Sequence, residues 1–161
     1  LTRLMGGKRI YIDRLQSVFD NGHYDPTNEP DIAYPYLFSR FKGDEWRTQE
    51  AVKAILDKHY LNAPHGIPGN DDTGTMSAWA VFSMMGLYPD CPGTPYYTIT
   101  TPTFDKVSIS TPQGELNICT HHPDTSCHYI DHIMLNGKRS GYRIHHQDLM
   151  GSTLTITTKT R

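Results

Sequence analysis

The spacing of apolar residues changes near residue 95, and no other feature limits the fold of this chain so strongly. Before that point, apolar side chains recur every three to four residues, the period of an amphipathic helix. Two such stripes are Tyr11, Leu15, Val18 and Phe19, and Val52, Ile55, Leu56 and His59. Beyond it, apolar and polar residues alternate as on half-buried strands, in segments 97–100, 106–109 and 153–157. The sequence therefore predicts an α+β fold, with helices first and strands after them.

A proline- and glycine-rich segment, 89–95, separates the two periods and is typical of a linker. We place the boundary inside it, between a helical part at residues 1–92 and an antiparallel β region at residues 93–161. Within the β region, Asn136-Gly137 lies between two alternating segments, which is a strong signal for a two-residue hairpin turn.

The segment from Thr75 to Met85 is apolar nearly all round. A helix without a polar face is normally buried inside a larger protein. The helices of residues 1–92 are too few to surround it. The chain also begins at Leu1 without an initiator methionine. We therefore expect further helices upstream, in a missing part of the same polypeptide.

The bulk composition argues against several classes of function. The formal net charge is −2 over 161 residues, so neither a nucleic acid nor an acidic membrane surface is expected as a partner. No apolar run approaches the roughly 18 residues that span a bilayer, so membrane insertion is not expected. The sequence has no GxSxG motif, no P-loop and no GxGxxG after a strand. Serine-hydrolase and nucleotide chemistry therefore have no support.

The three cysteines are an odd number, which argues against a disulfide scaffold. Cys119 and Cys127 are close enough in sequence to pair, and the sequence leaves that bridge open. The nearby histidines have spacings that match no standard zinc motif. We interpret them as surface residues of the β region, namely His121, His122, His128 and His132.

Two adjacent acids, Asp71 and Asp72, follow Asn70 on a loop that leads directly into the apolar segment. One interpretation is that Asp72 only caps the following helix, because free backbone N–H groups and the helix dipole favour a carboxylate there. The other is that Asp72 stays ionised in a cleft and activates a water molecule as a general base. Spacing alone leaves both open, and capping is the simpler of the two.

A second acidic turn, from Asp25 to Pro30, also allows two interpretations. In the first, Asn28 caps a helix whose first turn holds Glu29 and Pro30. In the second, the amide and carboxylate oxygens of Asn28 and Glu29 bind Ca²⁺, which prefers such ligands. The acid spacing is not that of an EF-hand loop.

Aromatic residues cluster around the helical segment 32–41, which Pro35 is expected to shorten or kink. Sugars stack on aromatic faces, so the sequence is compatible with a binding cleft that is lined by one of these rings. The sequence does not choose among Tyr34, Tyr36, Phe38, Phe41 and Trp46.

At these motifs the sequence resembles glycoside hydrolase family 92, the calcium-dependent exo-acting α-mannosidases. The run from Gly66 to Trp79 looks like the signature of that family. The resemblance covers essentially the whole chain, and its other segments are 27–30, 35–38, 47–49, 82–93, 102, 104–107, 135–137 and 146–150.

The resemblance implies that residues 1–92 are the last helices of an (α/α)6 barrel and that the β region follows it. It implies that Asp72 is the general base, that Asn70 and Asp71 shape the same loop, and that Asn28 and Glu29 lie at a site for Ca²⁺ and the sugar. The implied substrate is a mannose-containing glycan, an N-glycan or a mannan, hydrolysed with inversion of configuration. The implied location is extracellular, periplasmic or elsewhere in the secretory route.

Three places depart from the family pattern. Thr27 stands where many members carry Gly, Ile32-Ala33 where many carry a His-His pair, and Thr75 where many carry Gln. These differences look like a subgroup with its own linkage preference, and they leave Asp72 in place.

Inversion requires a second, protonated acid on the opposite side of the sugar. By resemblance, that acid lies further upstream than this chain reaches, and Glu45 and Glu50 are too near the base to be equated with it. We therefore predict that this chain alone does not hydrolyse mannosides. The alternative is a non-catalytic calcium- or carbohydrate-binding module derived from such an enzyme.

Overall fold

The computed structural model describes residues 1–161, which is every position of the chain. The α-helices are α1 (Lys8–Asp20), α2 (Glu45–His59), α3 (Thr75–Met85) and α4 (His146–Leu149), and two 3₁₀ helices span Glu29–Asp31 and Tyr34–Arg40. The strands are β1 (Leu87–Tyr88), β2 (Tyr96–Ile99), β3 (Lys106–Thr111), β4 (Gly114–His121), β5 (Tyr129–Leu135), β6 (Lys138–Ser140), β7 (Arg143–His145) and β8 (Thr153–Lys159). The predicted α+β class is confirmed.

The helical elements follow the apolar stripes of the sequence. Ile12 and Leu15 of α1, and Val52 and Ile55 of α2, are buried. The segment predicted as a helix over residues 32–41 is a 3₁₀ helix instead of an α-helix. Pro35 lies in the first turn of this helix, where a missing N–H costs no helical hydrogen bond, so it explains why the helix begins at Tyr34 and not at residue 32.

The strands form two sheets that share one hydrophobic core. The first sheet has the order β1-β2-β7 and the second has the order β3-β4-β8-β5-β6. Residues from both sheets meet in the core, which consists of Leu87, Ile99, Leu116, Ile118, Ile130, Ile133, Ile144, Leu149, Leu154 and Ile156.

One strand pair departs from the predicted antiparallel arrangement. β8 pairs in parallel with β4 and antiparallel with β5. Because β4 and β5 run in opposite directions on either side of it, a strand inserted between them must be parallel to one of the two. All the other strand pairs are antiparallel.

The Asn136-Gly137 hairpin prediction is confirmed. Both residues have left-handed backbone angles, with φ of 48° and 75°, as a type I′ turn requires. They join β5 to β6, and Leu135 pairs with Lys138 across the turn. Asn136 also anchors β8, because its side-chain oxygen accepts a hydrogen bond from the Thr153 N–H at 2.9 Å.

Helix α3 buries one face within this chain. Met76, Trp79, Ala80 and Ser83 are buried, whereas Val81 on the opposite side is 54% exposed. The buried Ser83 is satisfied by the hydroxyl of Tyr36 at 2.7 Å. The apolar sequence of α3 therefore exceeds what the other elements of the chain cover.

The three cysteines are free thiols, and Cys119 and Cys127 form no bridge. None of the helices has the length and apolar character that crossing a membrane requires. The division of the chain at residue 92 stays a prediction.

Candidate functional site

The two acidic segments singled out from the sequence lie against each other. Gly69, with φ of +99°, belongs to the loop of residues 66–74, which we call the Asp72 loop. A Cβ at Gly69 would lie 2.9 Å from Cβ of Thr27, in the turn of residues 25–31, which we call the Glu29 turn. Only glycine permits this close backbone approach. The fold therefore places the predicted base loop beside the predicted calcium turn.

Asp71, and not Asp72, supports the beginning of α3 with its side chain. One oxygen of the Asp71 carboxylate accepts hydrogen bonds from the backbone N–H of Ser77 at 2.8 Å and from its hydroxyl at 2.7 Å. The carbonyl oxygen of Asp71 also accepts from the N–H of Met76 at 3.1 Å. The carboxylate of Asp71 is thereby held by the first turns of the helix.

The Asp72 carboxylate accepts no hydrogen bond and forms no ion pair within the chain, and the residue is exposed. Only its backbone carbonyl serves the helix, by accepting from the hydroxyl of Thr75 at 2.8 Å. The interpretation of Asp72 as a side-chain cap is therefore wrong. The physical reason is that Asp71 already occupies the donors that such a cap would use.

Three consecutive residues of the Asp72 loop have left-handed backbones. The φ angles are 48° for Asp72, 63° for Thr73 and 91° for Gly74. A non-glycine residue in this region costs on the order of 1–3 kcal/mol and persists only where its surroundings enforce it. Here the Asp71–Ser77 bonds and the Gly69 contact hold the two ends of the run. The loop thus presents an unpaired carboxylate on a constrained backbone.

The Glu29 turn is organised by Asp25. The Asp25 carboxylate accepts hydrogen bonds from the hydroxyl of Thr27 at 2.7 Å and from its N–H at 2.9 Å, and these bonds hold the pKa of Asp25 below its usual range. Asn28 occupies the N-cap position of the 3₁₀ helix Glu29–Asp31, but its side chain makes no capping bond. Side-chain capping by Asn28 is therefore also wrong.

Glu29 is exposed, and its carboxylate forms no ion pair. No three His, Cys, Asp or Glu side chains of the chain lie close enough together to hold a metal ion by themselves. Asn28 and Glu29 supply oxygen donors of the kind that Ca²⁺ takes, but they are only part of the six to eight that it requires.

An aromatic cluster lies next to the two acidic segments. Its buried members include Tyr36 and Trp79. The indole N–H of Trp79 donates to the carbonyl oxygen of Ile32 at 2.9 Å and so joins α3 to the residue that directly follows the Glu29 turn. Three half-buried tyrosines pack against this cluster, and we call them the tyrosine floor: Tyr24, Tyr60 and Tyr88.

Carboxylates of both acidic segments contribute to the raised pKa values of the tyrosine floor. Burial raises the pKa of Tyr88 to about 12, with further contributions from Glu29 and Asp90. Burial, followed by Tyr88 and Asp71, raises the pKa of Tyr60 to about 12. Both phenols are therefore neutral hydrogen-bond donors near neutral pH.

Tyr24 completes this group. Its pKa is raised most by burial, and then by Tyr60, Asp31, Tyr88 and Asp25. The three hydroxyl groups consequently lie within electrostatic reach of one another and of carboxylates from both the Asp72 loop and the Glu29 turn.

The tyrosine floor was not among the aromatic residues singled out from the sequence. Of that set, Tyr36 and Phe38 are buried core residues, and Trp46 lies under the guanidinium groups of Arg47 and Arg161. The sequence does contain a pattern that could have identified them, because each long helix is followed within four residues by a tyrosine. These helices are α1, α2 and α3, followed by Tyr24, Tyr60 and Tyr88.

Over residues 1–160 the sequence matches a glycosyl hydrolase catalytic domain, that of glycosyl hydrolase family 92. A protein described as an uncharacterized secreted glycosidase from Arthroderma benhamiae is 30% identical over 163 residues, which cover 98% of this chain and 21% of that protein. The chain therefore belongs to glycosyl hydrolase family 92.

Solved structures of the same family share the fold. An α-mannosidase of family GH92 from Bacteroides thetaiotaomicron superimposes with a TM-score of 0.88 at 27% identity, over 96% of this chain and 22% of that one. The same mannosidase has been solved in complex with mannoimidazole. An inverting mannosidase of family GH92 from B. thetaiotaomicron VPI-5482 gives a TM-score of 0.78 at 30% identity, over 97% of this chain and 21% of that one. The chain thus spans about a fifth of the length of these relatives.

Proposed function

We propose that this chain is the C-terminal part of a calcium-dependent exo-α-mannosidase that hydrolyses α-mannosidic bonds of N-glycans or mannans with inversion. One observation carries the proposal: the Asp72 carboxylate is exposed and unpaired on a constrained loop, directly beside the Glu29 turn. Membership of family 92 and the mannosidase relatives support it. Residues 1–92 would form the last helices of an (α/α)6 barrel. The other helices of that barrel would cover the face of α3 that this chain leaves exposed.

In this proposal Asp72 is the general base. An ionised carboxylate without an internal partner is free to accept a proton from water as that water attacks the anomeric carbon. Asp71 is a positioning residue, because its bonds to Ser77 hold the loop. Asn70 shapes the same loop.

We further propose that Asn28 and Glu29 contribute ligands to a Ca²⁺ ion. When bound, the ion would orient sugar hydroxyl groups and offset negative charge at the site. The unpaired Glu29 carboxylate supports this role. The remaining ligands would come from backbone carbonyls, water, sugar hydroxyls or other parts of the full-length protein.

The general acid is proposed to lie outside this chain, which covers only about a fifth of its relatives. We therefore expect the isolated chain to be inactive. The secreted relative supports a location outside the cytoplasm.

The test uses the full-length protein and an aryl α-mannoside. Wild type should hydrolyse it, and Asp72→Asn should lower kcat by about 10²- to 10⁴-fold, the usual contribution of a general base. Mannoimidazole binding, measured by calorimetry, should be retained. Asp13→Asn is the control, because Asp13 is an exposed acid on α1.

Two further measurements complete the test. Chelation by EDTA should abolish turnover, and added Ca²⁺ should restore it. NMR of the first-formed sugar should show the inverted anomer. Undiminished turnover by Asp72→Asn would refute its role as base. Calcium and mannoimidazole binding without any hydrolysis by wild type would instead favour the non-catalytic module.

A further inference from the structure

We propose that a cavity between α2 and two loops of the β region is a second ligand site, which binds a small organic cation carrying an ammonium group. The cavity has a volume of about 450 Å³, which lies in the range of small-molecule sites. Its walls are α2 and the loops of residues 101–105 and 122–128, and we call it the α2 cavity. No residue of the Asp72 loop or the Glu29 turn lines it, so this inference goes beyond the proposed function and does not depend on it.

His122 lines the α2 cavity, and its ring is held in one tautomer. Its Nδ1 lies 3.0 Å from the carbonyl oxygen of Cys127, which can only accept a hydrogen bond. The same Nδ1 lies 2.9 Å from the hydroxyl oxygen of Thr158, and that hydroxyl donates its own hydrogen to the carbonyl oxygen of His121 at 3.2 Å. Nδ1 therefore carries the proton of the neutral ring. Nε2, which has no partner within the chain, is left as an acceptor.

His128 lines the same cavity with the same arrangement. Its Nδ1 lies 3.0 Å from the carbonyl oxygen of Ser126, so this nitrogen donates and Nε2 is again the acceptor. The backbone of His128 is fixed as well, because its carbonyl oxygen accepts a hydrogen bond from the hydroxyl of Thr101 at 2.7 Å. Two imidazoles of the cavity therefore each keep one unprotonated nitrogen without a partner in the chain.

Carboxylates give the α2 cavity a negative charge. Asp105 forms no side-chain hydrogen bond or ion pair, and Asp124 accepts from the N–H and hydroxyl of Ser126 but also forms no ion pair. The cation that lines the cavity is Lys53, and it is already paired with Asp57 at 2.7 Å. The charges of Asp105 and Asp124 are therefore uncompensated.

These acceptors define the chemistry of the ligand. Two carboxylates and two imidazole nitrogens require hydrogen-bond donors, and the uncompensated charge favours a cation over a neutral or anionic molecule. The acceptors do not converge on one point, because no three His, Cys, Asp or Glu side chains lie close enough together to hold a metal ion. An extended organic cation fits this spread of acceptors better than a metal ion does. Val52, Leu56 and Pro102 supply apolar contact for its carbon skeleton.

Calorimetry on the full-length protein at pH 8 tests the inference with two probes of equal length, 1,4-diaminobutane and 1,4-butanediol. The diamine is a dication rich in N–H donors, whereas the diol is neutral. Wild type should bind the diamine about 10-fold more tightly than the diol, because each partly exposed pair of an ammonium and a carboxylate contributes about 2- to 5-fold.

Two substitutions locate the bound diamine. Asp105→Asn should weaken its binding by about 5-fold, through loss of one charge. His122→Asn keeps an N–H near the position of Nδ1 for the Cys127 carbonyl but removes the Nε2 acceptor, so it should weaken binding by about 5-fold as well. Asp148→Asn is the matched control, because Asp148 is an exposed acid on α4 without an ion pair, and this substitution makes the same change in charge. It should leave the affinity unchanged.

The outcomes decide about the α2 cavity without reference to turnover. A wild type that does not bind the diamine, or that binds the diol equally well, would overturn the site. Equal affinity of Asp105→Asn and Asp148→Asn would also overturn it, and since the Asp105 side chain holds no other group, this comparison stands even if His122→Asn lowers the melting temperature. Loss of diamine binding in Asp72→Asn would place the cation at the proposed active site and overturn the inference. Unchanged diamine binding by Asp72→Asn would support it, whether or not that variant hydrolyses mannosides.

Discussion

At the scale of single residues, the clearest result is the different environment of two adjacent and chemically identical acids. Asp71 is bound to the backbone and hydroxyl of Ser77, whereas Asp72 has no side-chain partner. Because the Asp71 oxygen is bound to Ser77 while the Asp72 oxygens have no partner in the chain, Asp72 is the acid left free to contact a water molecule, which supports its proposed role as the base. The backbones of the two residues also differ, because the left-handed run of the loop begins at Asp72 and does not include Asp71.

Gly69 is the residue on which the contact between the two acidic segments depends. Gly69→Ala would place Cβ 2.9 Å from the Cβ of Thr27 at a φ of +99°. We expect the free energy of unfolding to fall by about 2–4 kcal/mol, from backbone strain and the clash together. Denaturant unfolding of the full-length protein measures this change, and the KM of the proposed substrate should rise with it.

Gly43→Ala is the control for Gly69→Ala. Gly43 has a similar φ of +92°, but a Cβ there would meet nothing within 4 Å. It should therefore show the backbone cost alone, roughly 1–2 kcal/mol, without a change in KM. An equal effect of both substitutions would show that the Thr27 contact is unimportant.

At the scale of secondary-structure elements, the ends of the helices matter more to the site than their faces. Each of α1, α2 and α3 ends shortly before a tyrosine of the floor. The Asp72 loop lies at the other end of α3, at its N-terminus. Helix lengths therefore determine where the candidate site residues lie.

The β5–β6 hairpin gives a prediction at this scale. Asn136→Ala removes the acceptor of the Thr153 N–H bond and places alanine at a φ of 48°. We expect a loss of about 2 kcal/mol in the free energy of unfolding, half from the hydrogen bond and half from the backbone. Asn136→Asp keeps both the acceptor and tolerance of the left-handed region, so chemical denaturation should show less than about half of that loss. Equal losses in the two variants would contradict this account of the turn.

At the scale of the whole molecule, a few buried polar contacts join the helices to the sheets. The side-chain oxygen of Gln49 on α2 accepts a hydrogen bond from the N–H of Ile130 on β5 at 2.8 Å. Arg40 lies 2.9 Å from Asp90, whose side chain is completely buried just beyond β1. The Gln49–Ile130 bond therefore joins the helical part to the β region, and the Arg40–Asp90 contact holds the 3₁₀ helix Tyr34–Arg40 beside the segment that leads into that region.

Gln49→Ala should loosen the contact between α2 and β5. The Ile130 N–H would lose its partner in a buried position, at a cost of about 1–3 kcal/mol. Thermal and denaturant unfolding of the full-length protein should both report the loss, and hydrogen exchange at Ile130 should accelerate. Gln147→Ala is the control, because Gln147 is exposed on α4 and its side chain makes no bond, so its effect should stay within about 0.5 kcal/mol. Unchanged exchange at Ile130 would refute the role of Gln49.

Much of the fold was predictable because its causes are local. Period-three-to-four and period-two stripes identified α1, α2, β2, β3 and β8, and the left-handed preference of Asn-Gly identified the hairpin. The parallel pairing of β4 with β8 was not predictable, because a long-range insertion leaves no local signal. The 3₁₀ helix Tyr34–Arg40 is an intermediate case. Pro35 predicted a shortened or kinked helix there, but not which type of helix forms.

The sequence by itself determined the family, the α+β class and the residues of the two acidic segments, because these depend on residue identity and short-range order. Only the tertiary structure decided that Asp71 caps α3 while Asp72 stays unpaired, that Gly69 brings the two segments together, and that the tyrosine floor lies beside them. The physical reason is that burial, unpaired hydroxyl groups and through-space charge arise from contacts between residues distant in sequence, which no local pattern encodes.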